Sequence, residues 1–272
     1  MDYNTRVGRK IVFAAFEKNL SKELAVAICV RRRTHILKGR NLSRLHRAVG
    51  KIAGCSDSTA RRLLDSMSQY GLVSIRKHNG YVYAVFHFLH APAYKSAHRG
   101  MWSKPRHSDI ILNPSNTSFE SYKTVELSLR AQYIVSKQAA RDYLTQTVYL
   151  AGIGHNNRVD PKEASNARKK LNRYGIKDFQ DCGMSNKYLR RKLHCGATTL
   201  KKVVGYGESL GLFSRELPRV MFQGVGIGMG QEVFDNITVE DYAFTPTYHT
   251  HSYLAYCLGA TRYILPLDPA KY

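Results

Sequence analysis

The sequence predicts a mainly helical α+β protein in which two related modules each carry a small β-hairpin. Two observations indicate this fold class: an internal repeat, and a change from helical to strand periodicity after the first copy. The repeat aligns residues 55–74 with 195–214 at an offset of 140, without a gap and with five of twenty positions identical. We therefore expect one structural unit to occur twice in the chain.

The first copy has the pattern of an amphipathic helix followed by two strands. Its apolar residues recur at helical spacing and form one buried face: Ala60, Leu63, Leu64 and Met67. Ser56 or Asp57 can cap the start of this helix, and Gly71 is the residue type that most readily ends it. The sequence then alternates over 72–77 and 81–86, and Asn79-Gly80 between these runs predicts a tight hairpin.

A short basic helix over 43–53 precedes this element, and the three residues 54–56 separate the two helices. This order, with the stretch from Ile52 to Leu64, resembles the helix-turn-helix of winged-helix DNA-binding domains, such as those of GntR-type and MarR-type repressors. The resemblance implies that the second helix enters the major groove while the hairpin, or wing, lies along the backbone or minor groove. It places at DNA Ser58, Thr59, Arg61 and Arg62 of the helix and Lys77 and His78 of the wing.

The second copy follows the pattern less closely. Asp160 and Pro161 open a helix that should end before Gly175, and residues 185–193 form the next one. His194 replaces Gly54 in the turn, and two glycines, Gly205 and Gly207, are expected to shorten or bend the second reading helix. By equivalence, the DNA contacts would be Thr198, Thr199, Lys201 and Lys202 of that helix, Lys187, Arg190 and Arg191 near phosphates, and Arg215 or Arg219 on a shorter wing. For both copies, a helical hairpin used only for packing or dimerisation is the alternative.

The charge of this chain is large and unevenly distributed. The net charge is +22, with +2 in residues 1–19, +8 in 20–75, +7 in 76–159, +8 in 160–215 and −3 in 216–272. Such segregation is typical of a protein surface that binds nucleic acid, since charge that serves only solubility has no reason to cluster. A merely solvated basic surface is the alternative interpretation.

The pattern divides the chain into four parts. Residues 1–89 form the first winged module, 90–121 an irregular linker, 122–222 a long helix with the second module, and 223–272 a glycine-rich segment with an aromatic, acidic tail. The long helix, expected over 124–148, suits coupling or dimerisation as well as an ordinary core role. The tail is expected to pack against protein rather than DNA, either within the chain or on a protein partner.

Several other kinds of protein are disfavoured. The apolar runs fall short of the roughly 20 residues that a membrane span needs, and no secretory signal pattern follows the basic N-terminus, so we expect a cytoplasmic, nucleoid-associated protein. Five cysteines without a CxxC pair indicate reduced thiols. Residues 224–230 are rich in glycine but lack the Lys and Ser/Thr of a phosphate loop.

No catalytic or metal-binding set emerges from spacing, so we expect no enzyme, no metal and no cofactor. His194, Cys195 and Cys182 could be imagined as metal ligands, but Cys55 fills the position of Cys195 without such neighbours, as a small buried hydrophobe would. His249 and His251 only faintly resemble the histidine pair of rolling-circle nucleases, because the residue between them is polar.

The sequence therefore predicts a protein that binds double-stranded DNA through two modules, possibly as a homodimer. Two winged modules without a separate ligand-binding domain are similar to the organisation of plasmid and phage replication initiators, which implies a role in replication initiation. A transcription regulator is the first alternative. A packaging or scaffold protein that coats nucleic acid without sequence preference is the second.

Overall fold

A computed structural model describes residues 5–87, 109–112, 117–152, 161–173, 183–216, 219–225, 242–246, 252–258 and 262–264. The helices within these ranges are α1 (Arg9–Glu17), α2 (Ser21–Arg33), α3 (Leu42–Ala53), α4 (Asp57–Gln69), α5 (Tyr122–Gly152), α6 (Pro161–Arg173), α7 (Asn186–Leu193) and α8 (Ala197–Ser209). The strands are β1 (Thr5–Gly8), β2 (Ile36–Gly39), β3 (Val73–His78), β4 (Tyr81–Phe86), β5 (Asp109–Leu112), β6 (Ser214–Glu216), β7 (Arg219–Val225), β8 (Tyr242–Pro246), β9 (Ser252–Leu258) and β10 (Arg262–Ile264). A mainly helical protein with small antiparallel sheets is what the sequence predicts.

The chain packs as two compact units. Unit 1 comprises Met1–Tyr133 and Arg190–Leu210, and unit 2 comprises Ile134–Leu189 and Gly211–Tyr272. The boundary between the units falls within α5 and again within α7. Helix α8, which the sequence assigns to the second module, therefore packs in the same unit as α4.

The core of unit 1 is built around α2. This helix is buried from Leu24 to Val30 without interruption, as expected for a central helix that neighbours surround. Around it lie the apolar faces of α1, α3 and α4, and α4 contributes the four predicted residues Ala60, Leu63, Leu64 and Met67. Phe16 stacks edge-on against Tyr133 of α5, with 5.0 Å between ring centroids.

Local sequence signals set the helix-turn-helix of α3 and α4. The Ser56 hydroxyl caps α4 by accepting the Thr59 backbone N–H at 3.3 Å, as predicted. Gly54 has φ +63 in the turn, and Gly71 has φ +73 just beyond the end of α4, where glycine avoids the clash of a Cβ with the backbone. Cap, turn and helix end thus lie where the sequence predicts them.

The predicted hairpin forms, with one additional strand beside it. Strands β3 and β4 pair antiparallel across Asn79 and Gly80, whose φ values of +47 and +72 suit a tight hairpin turn. Strand β2 extends the sheet in the order β2-β4-β3. Four residues are too few to show a clear period, so the sequence does not predict β2.

The structure also corrects the prediction that residues 90–121 form an irregular linker throughout. Residues 109–112 of that range form β5, which pairs antiparallel with β1. Val7 and Ile110 face each other in this register and are 0% and 3% exposed, so the two-stranded sheet joins the core of unit 1. Residues 88–108 and 113–116 lie outside the described residues.

Helices α7 and α8 follow α3 and α4 at the offset of 140. Helix α8 begins and ends 140 residues after α4, and His194 and Gly211 take positive φ values of +47 and +64, as Gly54 and Gly71 do. The expected shortening of α8 by glycine is wrong, since the helix runs for 13 residues. Gly207 is buried at the position equivalent to Met67, while Gly205 is exposed.

Unit 2 contains the end of α5, helix α6 and the remaining strands. Leu144 of α5 packs with Ala167 and Leu171 of α6. Strand β6 pairs with β10 near the end of the chain and not with the adjacent β7, so the expected shorter wing after α8 is not a hairpin of neighbouring strands. Tyr263 on β10 is 1% exposed and stacks on Phe213 with centroids 5.0 Å apart, which stabilises this pairing.

The other predictions for the C-terminal part fall partly outside the described residues. Strands β7, β8 and β9 form a sheet in the order β7-β9-β8. Residues 224 and 225 of the glycine-rich segment belong to β7, and 226–230 lie outside the described residues. His249 and His251 also lie outside them. The packing of β10 on β6 agrees with the expectation that the tail contacts protein.

Candidate nucleic-acid interface

Helix α4 presents a polar, basic face opposite its buried one. Ser58, Arg61 and Arg62 are exposed, as predicted. Thr59 is half-buried and takes part in the cap of the helix. Its hydroxyl accepts a hydrogen bond from the Ser56 hydroxyl at 2.9 Å, and its backbone N–H donates to the same Ser56 oxygen. The face of α4 that the sequence predicts to read DNA therefore presents Ser58, Arg61 and Arg62, together with the exposed Asp65 one turn after Arg61.

Helix α8 repeats this arrangement position by position. Thr198, Lys201 and Lys202 are exposed and Thr199 is half-buried, matching Ser58, Arg61, Arg62 and Thr59 in exposure. The opposite face is buried through Leu200, Val203 and Val204. Two helices of unit 1 thus offer pairs of adjacent cations on equivalent surfaces.

Four further predicted residues of the second copy are also exposed but are divided between the units, and the side chain of Arg219 lies outside the described part of the chain. Arg190 and Arg191 at the end of α7 belong to unit 1 with α8. Lys187 at the start of α7 and Arg215 on β6 belong to unit 2. The structure therefore brings Arg190 and Arg191 into the unit of the two reading helices.

The cations of the reading helices have no acidic partner among the described residues. Arg61, Arg62, Lys201 and Lys202 form no ion pair there, whereas Arg47 of α3 lies 3.5 Å from Asp57 at the start of α4. An exposed pair such as Arg47 and Asp57 contributes little to stability. The four reading-helix cations are therefore available for phosphates or base edges.

The two predicted wing residues are exposed on opposite faces of the hairpin. His78 pairs with Tyr81 and Lys77 pairs with Val82, and consecutive residues of a strand point to opposite sides. His78 therefore lies on one face of the wing and Lys77 on the other. A ligand surface that lies against one face of the wing cannot contact both side chains.

The cysteines of the two turns, Cys55 and Cys195, are only half-buried, whereas Cys29 of α2 is buried. Burial raises the pKa of the Cys55 thiol, with a further increase from Asp57. Burial also raises the pKa of Cys195, although Arg130 and Arg190 oppose this change. Burial raises the pKa of Cys29 in α2 to about 12. All three thiols are thus protonated near pH 7 and poor nucleophiles.

A buried polar network that sequence reasoning missed joins α5, α2 and the end of α7 within unit 1. Arg130 of α5, 5% exposed, has its Nη2 atom 2.6 Å from Glu126 Oε1. Ser21 of α2 donates to the same carboxylate oxygen at 2.7 Å. Arg130 Nη1 donates to the backbone carbonyl of Leu193, at the end of α7. The i,i+4 spacing of Glu126 and Arg130 was a local signal, but their partners are distant in sequence.

Further exposed cations of unit 1 were not singled out from the sequence. Among them are Arg44 and Lys51 on α3, Lys38 on β2 and Arg76 on β3. The basic composition of α3 is the sequence feature that points to Arg44 and Lys51. Lys38 can be placed beside the wing only once β2 is known to form a strand next to the hairpin.

No protein-family model matches the chain, and no curated protein or solved structure is significantly similar to it. Within the part of the chain that the structure describes, no helix combines the length and apolar character needed to cross a membrane. The same residues contain no group of three or more His, Cys, Asp or Glu side chains placed to hold a metal ion.

His87, directly after the wing, should make stability depend on pH. Burial lowers its pKa, with Arg76 and Arg31 lowering it further, and its Nε2 atom lies 2.7 Å from the Ser74 hydroxyl. Because the unfolded chain then binds a proton more readily, we expect the free energy of unfolding to fall as pH drops below about 6.5. Urea unfolding between pH 5 and pH 8 measures this effect.

The variant His87→Gln removes the titrating group and should flatten that pH profile. His78→Gln, which removes an exposed histidine of the wing, is the matched control and should leave the profile unchanged. An identical slope for His87→Gln and the unmodified protein would contradict the assignment.

Proposed function

We propose that this chain binds double-stranded DNA sequence-specifically through two helix-turn-helix modules related by the internal repeat, the first of which carries a wing, and that it serves replication initiation. The observation that carries the proposal is the equivalence of α4 and α8. Both helices bury one apolar face and expose a pair of adjacent cations at positions related by the offset of 140. A helix with such a face, opening after a short turn, suits insertion into the major groove.

The order of elements in unit 1 supports the first module. Helix α2, strand β2, helices α3 and α4, and the hairpin of β3 and β4 follow one another, with β2 beside β4. This is the order of a winged-helix domain, in which α4 would read bases and the hairpin would lie along the duplex. Arg44 and Lys51 on α3 add positive charge suited to phosphate contacts.

The presence of α4 and α8 in one compact unit supports binding of both modules to one duplex. The Glu126–Arg130 pair contacts α2 of the first module through Ser21 and the end of α7 through Leu193. Half-sites bound by helices of one unit should have a preferred spacing, and selection of bound sequences from a random duplex pool would reveal it. Absence of any enriched motif would contradict sequence-specific binding.

The double variant Arg61→Ala/Arg62→Ala tests the reading role of α4. Removing each base contact should weaken binding to the selected site by about 1 to 3 kcal/mol and relax preference at that half-site. Because both side chains are exposed, the fold should be retained. Fluorescence anisotropy on the selected duplex and on mutated half-sites measures affinity and preference.

Two further double variants complete this experiment. Lys201→Ala/Lys202→Ala should affect the other half-site, and the slope of log K against log salt should become shallower by about 0.9 for each phosphate that is no longer bound. Lys10→Ala/Lys18→Ala removes the same charge from exposed positions of α1 and its end, and should change preference at neither half-site. Equal effects of all three variants would indicate attraction by charge alone.

The proposed role in initiation requires more than occupancy of a site. An initiator should promote opening of A·T-rich DNA next to its binding site, which permanganate reactivity of unpaired thymines detects. Binding without opening, under conditions where the selected site is saturated, would contradict the replication role and leave the binding proposal intact.

A further inference from the structure

The outer face of the β2-β4-β3 sheet combines aromatic and basic side chains. Register places Lys38, Tyr83 and Arg76 in one row across the three strands, and Tyr81 and His78 in the next row of the hairpin. Since alternate residues of a strand share a face, these five side chains lie on the same side of the sheet. We call this surface the wing face.

Burial distinguishes the wing face from the side that packs on the core. Val82, Ala84 and Phe86 of β4 are at most 6% exposed, whereas Tyr81 and Tyr83, which alternate with them along the strand, are only half-buried. Lys38, Arg76 and His78 are exposed. Ile36, on the same face of β2, is 41% exposed and is one of few large apolar side chains so exposed among the described residues.

The charge of the wing face is of one sign. Lys38 and Arg76 flank Tyr83 across the sheet, and none of the residues of β2, β3 and β4 is acidic. A protein or peptide partner that fits such a surface would need to be acidic and to cover two aromatic rings. A nucleic acid supplies both features, since phosphates match the cations and bases stack on the rings.

The contact of Lys38 with Tyr81 is compatible with ligand entry. The Lys38 Nζ atom lies 3.8 Å from the centroid of the Tyr81 ring and 5.8 Å from that of Tyr83. An exposed cation–π contact is weaker than stacking of a base on an aromatic ring. A base can therefore displace the flexible lysine, and the released ammonium group is then placed to pair with a phosphate of the same strand.

We propose that the wing face binds single-stranded DNA, with bases stacked on Tyr81 and Tyr83 and phosphates held by Lys38, Arg76 and His78. The choice of DNA over RNA rests on the proposed function, which places the protein on duplex DNA. Bases within a duplex are stacked on one another. Only unpaired bases can therefore stack on the faces of the two tyrosine rings. The wing face would thus bind a different ligand from α4, which would contact base edges in the major groove of duplex DNA.

The test measures binding of the full chain to a fluorescently labelled oligo-dT of 15 nucleotides. We expect Tyr81→Leu/Tyr83→Leu to weaken binding about 5-fold to 150-fold for each base that no longer stacks. Tyr81→Phe/Tyr83→Phe, which keeps both rings, should bind like the unmodified protein. Tyr143→Leu removes a tyrosine that is 57% exposed on α5 and serves as the matched control with unchanged binding.

A second pair of variants keeps the result interpretable if the leucine variant folds poorly. Lys38→Gln/Arg76→Gln changes only exposed side chains and should weaken binding and lower its salt dependence. Arg61→Ala/Arg62→Ala should lose preference for the selected duplex and still bind oligo-dT. If the wing-face and α4 variants affect both ligands equally, the two surfaces are one site and the inference is wrong.

The remaining outcomes separate this inference from the proposed function. Unchanged oligo-dT affinity in both wing-face variants overturns the inference, whatever the duplex results. Tighter, ring-dependent binding of a 15-residue oligo-rU overturns the assignment to DNA. Ring-dependent binding of oligo-dT in a protein without duplex preference would support the wing face and contradict the proposed sequence-specific function.

Discussion

Arg130→Ala should lower the free energy of unfolding by about 3 to 5 kcal/mol. The substitution leaves the Glu126 carboxylate, whose side chain is 12% exposed, with only the Ser21 hydroxyl as a described partner. It also removes the donor to the Leu193 carbonyl, at the end of α7 where the helix leaves carbonyls unpaired. Urea unfolding of the full chain, followed by circular dichroism, measures the loss.

A double substitution distinguishes a broken charge pair from weakened packing. Glu126→Leu/Arg130→Met replaces both partners by apolar side chains of similar size, so no buried charge is left alone and much of the stability should return. If the double variant is as unstable as Arg130→Ala, the cost arises from packing or from the Leu193 carbonyl. A loss below about 1 kcal/mol for Arg130→Ala would show that the pair does not stabilise unit 1.

Gly54→Ala should be the second most damaging substitution, with an expected loss of about 2 to 5 kcal/mol. Gly54 has φ +63, which strains any residue with a Cβ, and an added Cβ would collide with the Glu120 carbonyl oxygen. The segment before α5 would have to move away from the turn between α3 and α4. Thermal and urea unfolding measure the effect.

Two control substitutions separate strain from collision. Gly211→Ala introduces the same strain at φ +64 but meets no atom within 4 Å, so its cost should be about 1 to 2 kcal/mol. His194→Gly relieves a positive φ of +47 at the position equivalent to Gly54 and should not destabilise the protein through backbone strain. Equal losses for Gly54→Ala and Gly211→Ala would contradict the collision with Glu120.

Local chemistry explains what could be predicted from the sequence. The cap at Ser56, the helix end at Gly71 and the Asn79-Gly80 turn each depend on residues that are neighbours in the chain. The reading faces of α4 and α8 follow from helical periodicity, and the structure exposes Arg61, Arg62, Lys201 and Lys202. The role of these side chains in binding DNA stays a prediction.

What the sequence did not predict depends on partners far apart in the chain. Nothing near β1 indicates that β5 pairs with it, and nothing near Glu126 identifies Ser21 or Leu193 as contacts of its network. The length of α8 differs from the prediction for another reason. The low helix propensity of Gly205 and Gly207 favours a shorter helix, but burial of Leu200, Val203 and Val204 stabilises the full 13 residues.

The pairing of β6 with β10 has a consequence for the order in which the protein is made. Ser214 faces Ile264 in this ladder, so β6 has been synthesised long before its partner strand exists. Until then Phe213 lacks the Tyr263 ring that covers it, and β6 offers an open edge to other nascent chains. A translation product that stops before residue 262 would lack β10, so the edge of β6 and the ring of Phe213 would stay without these partners.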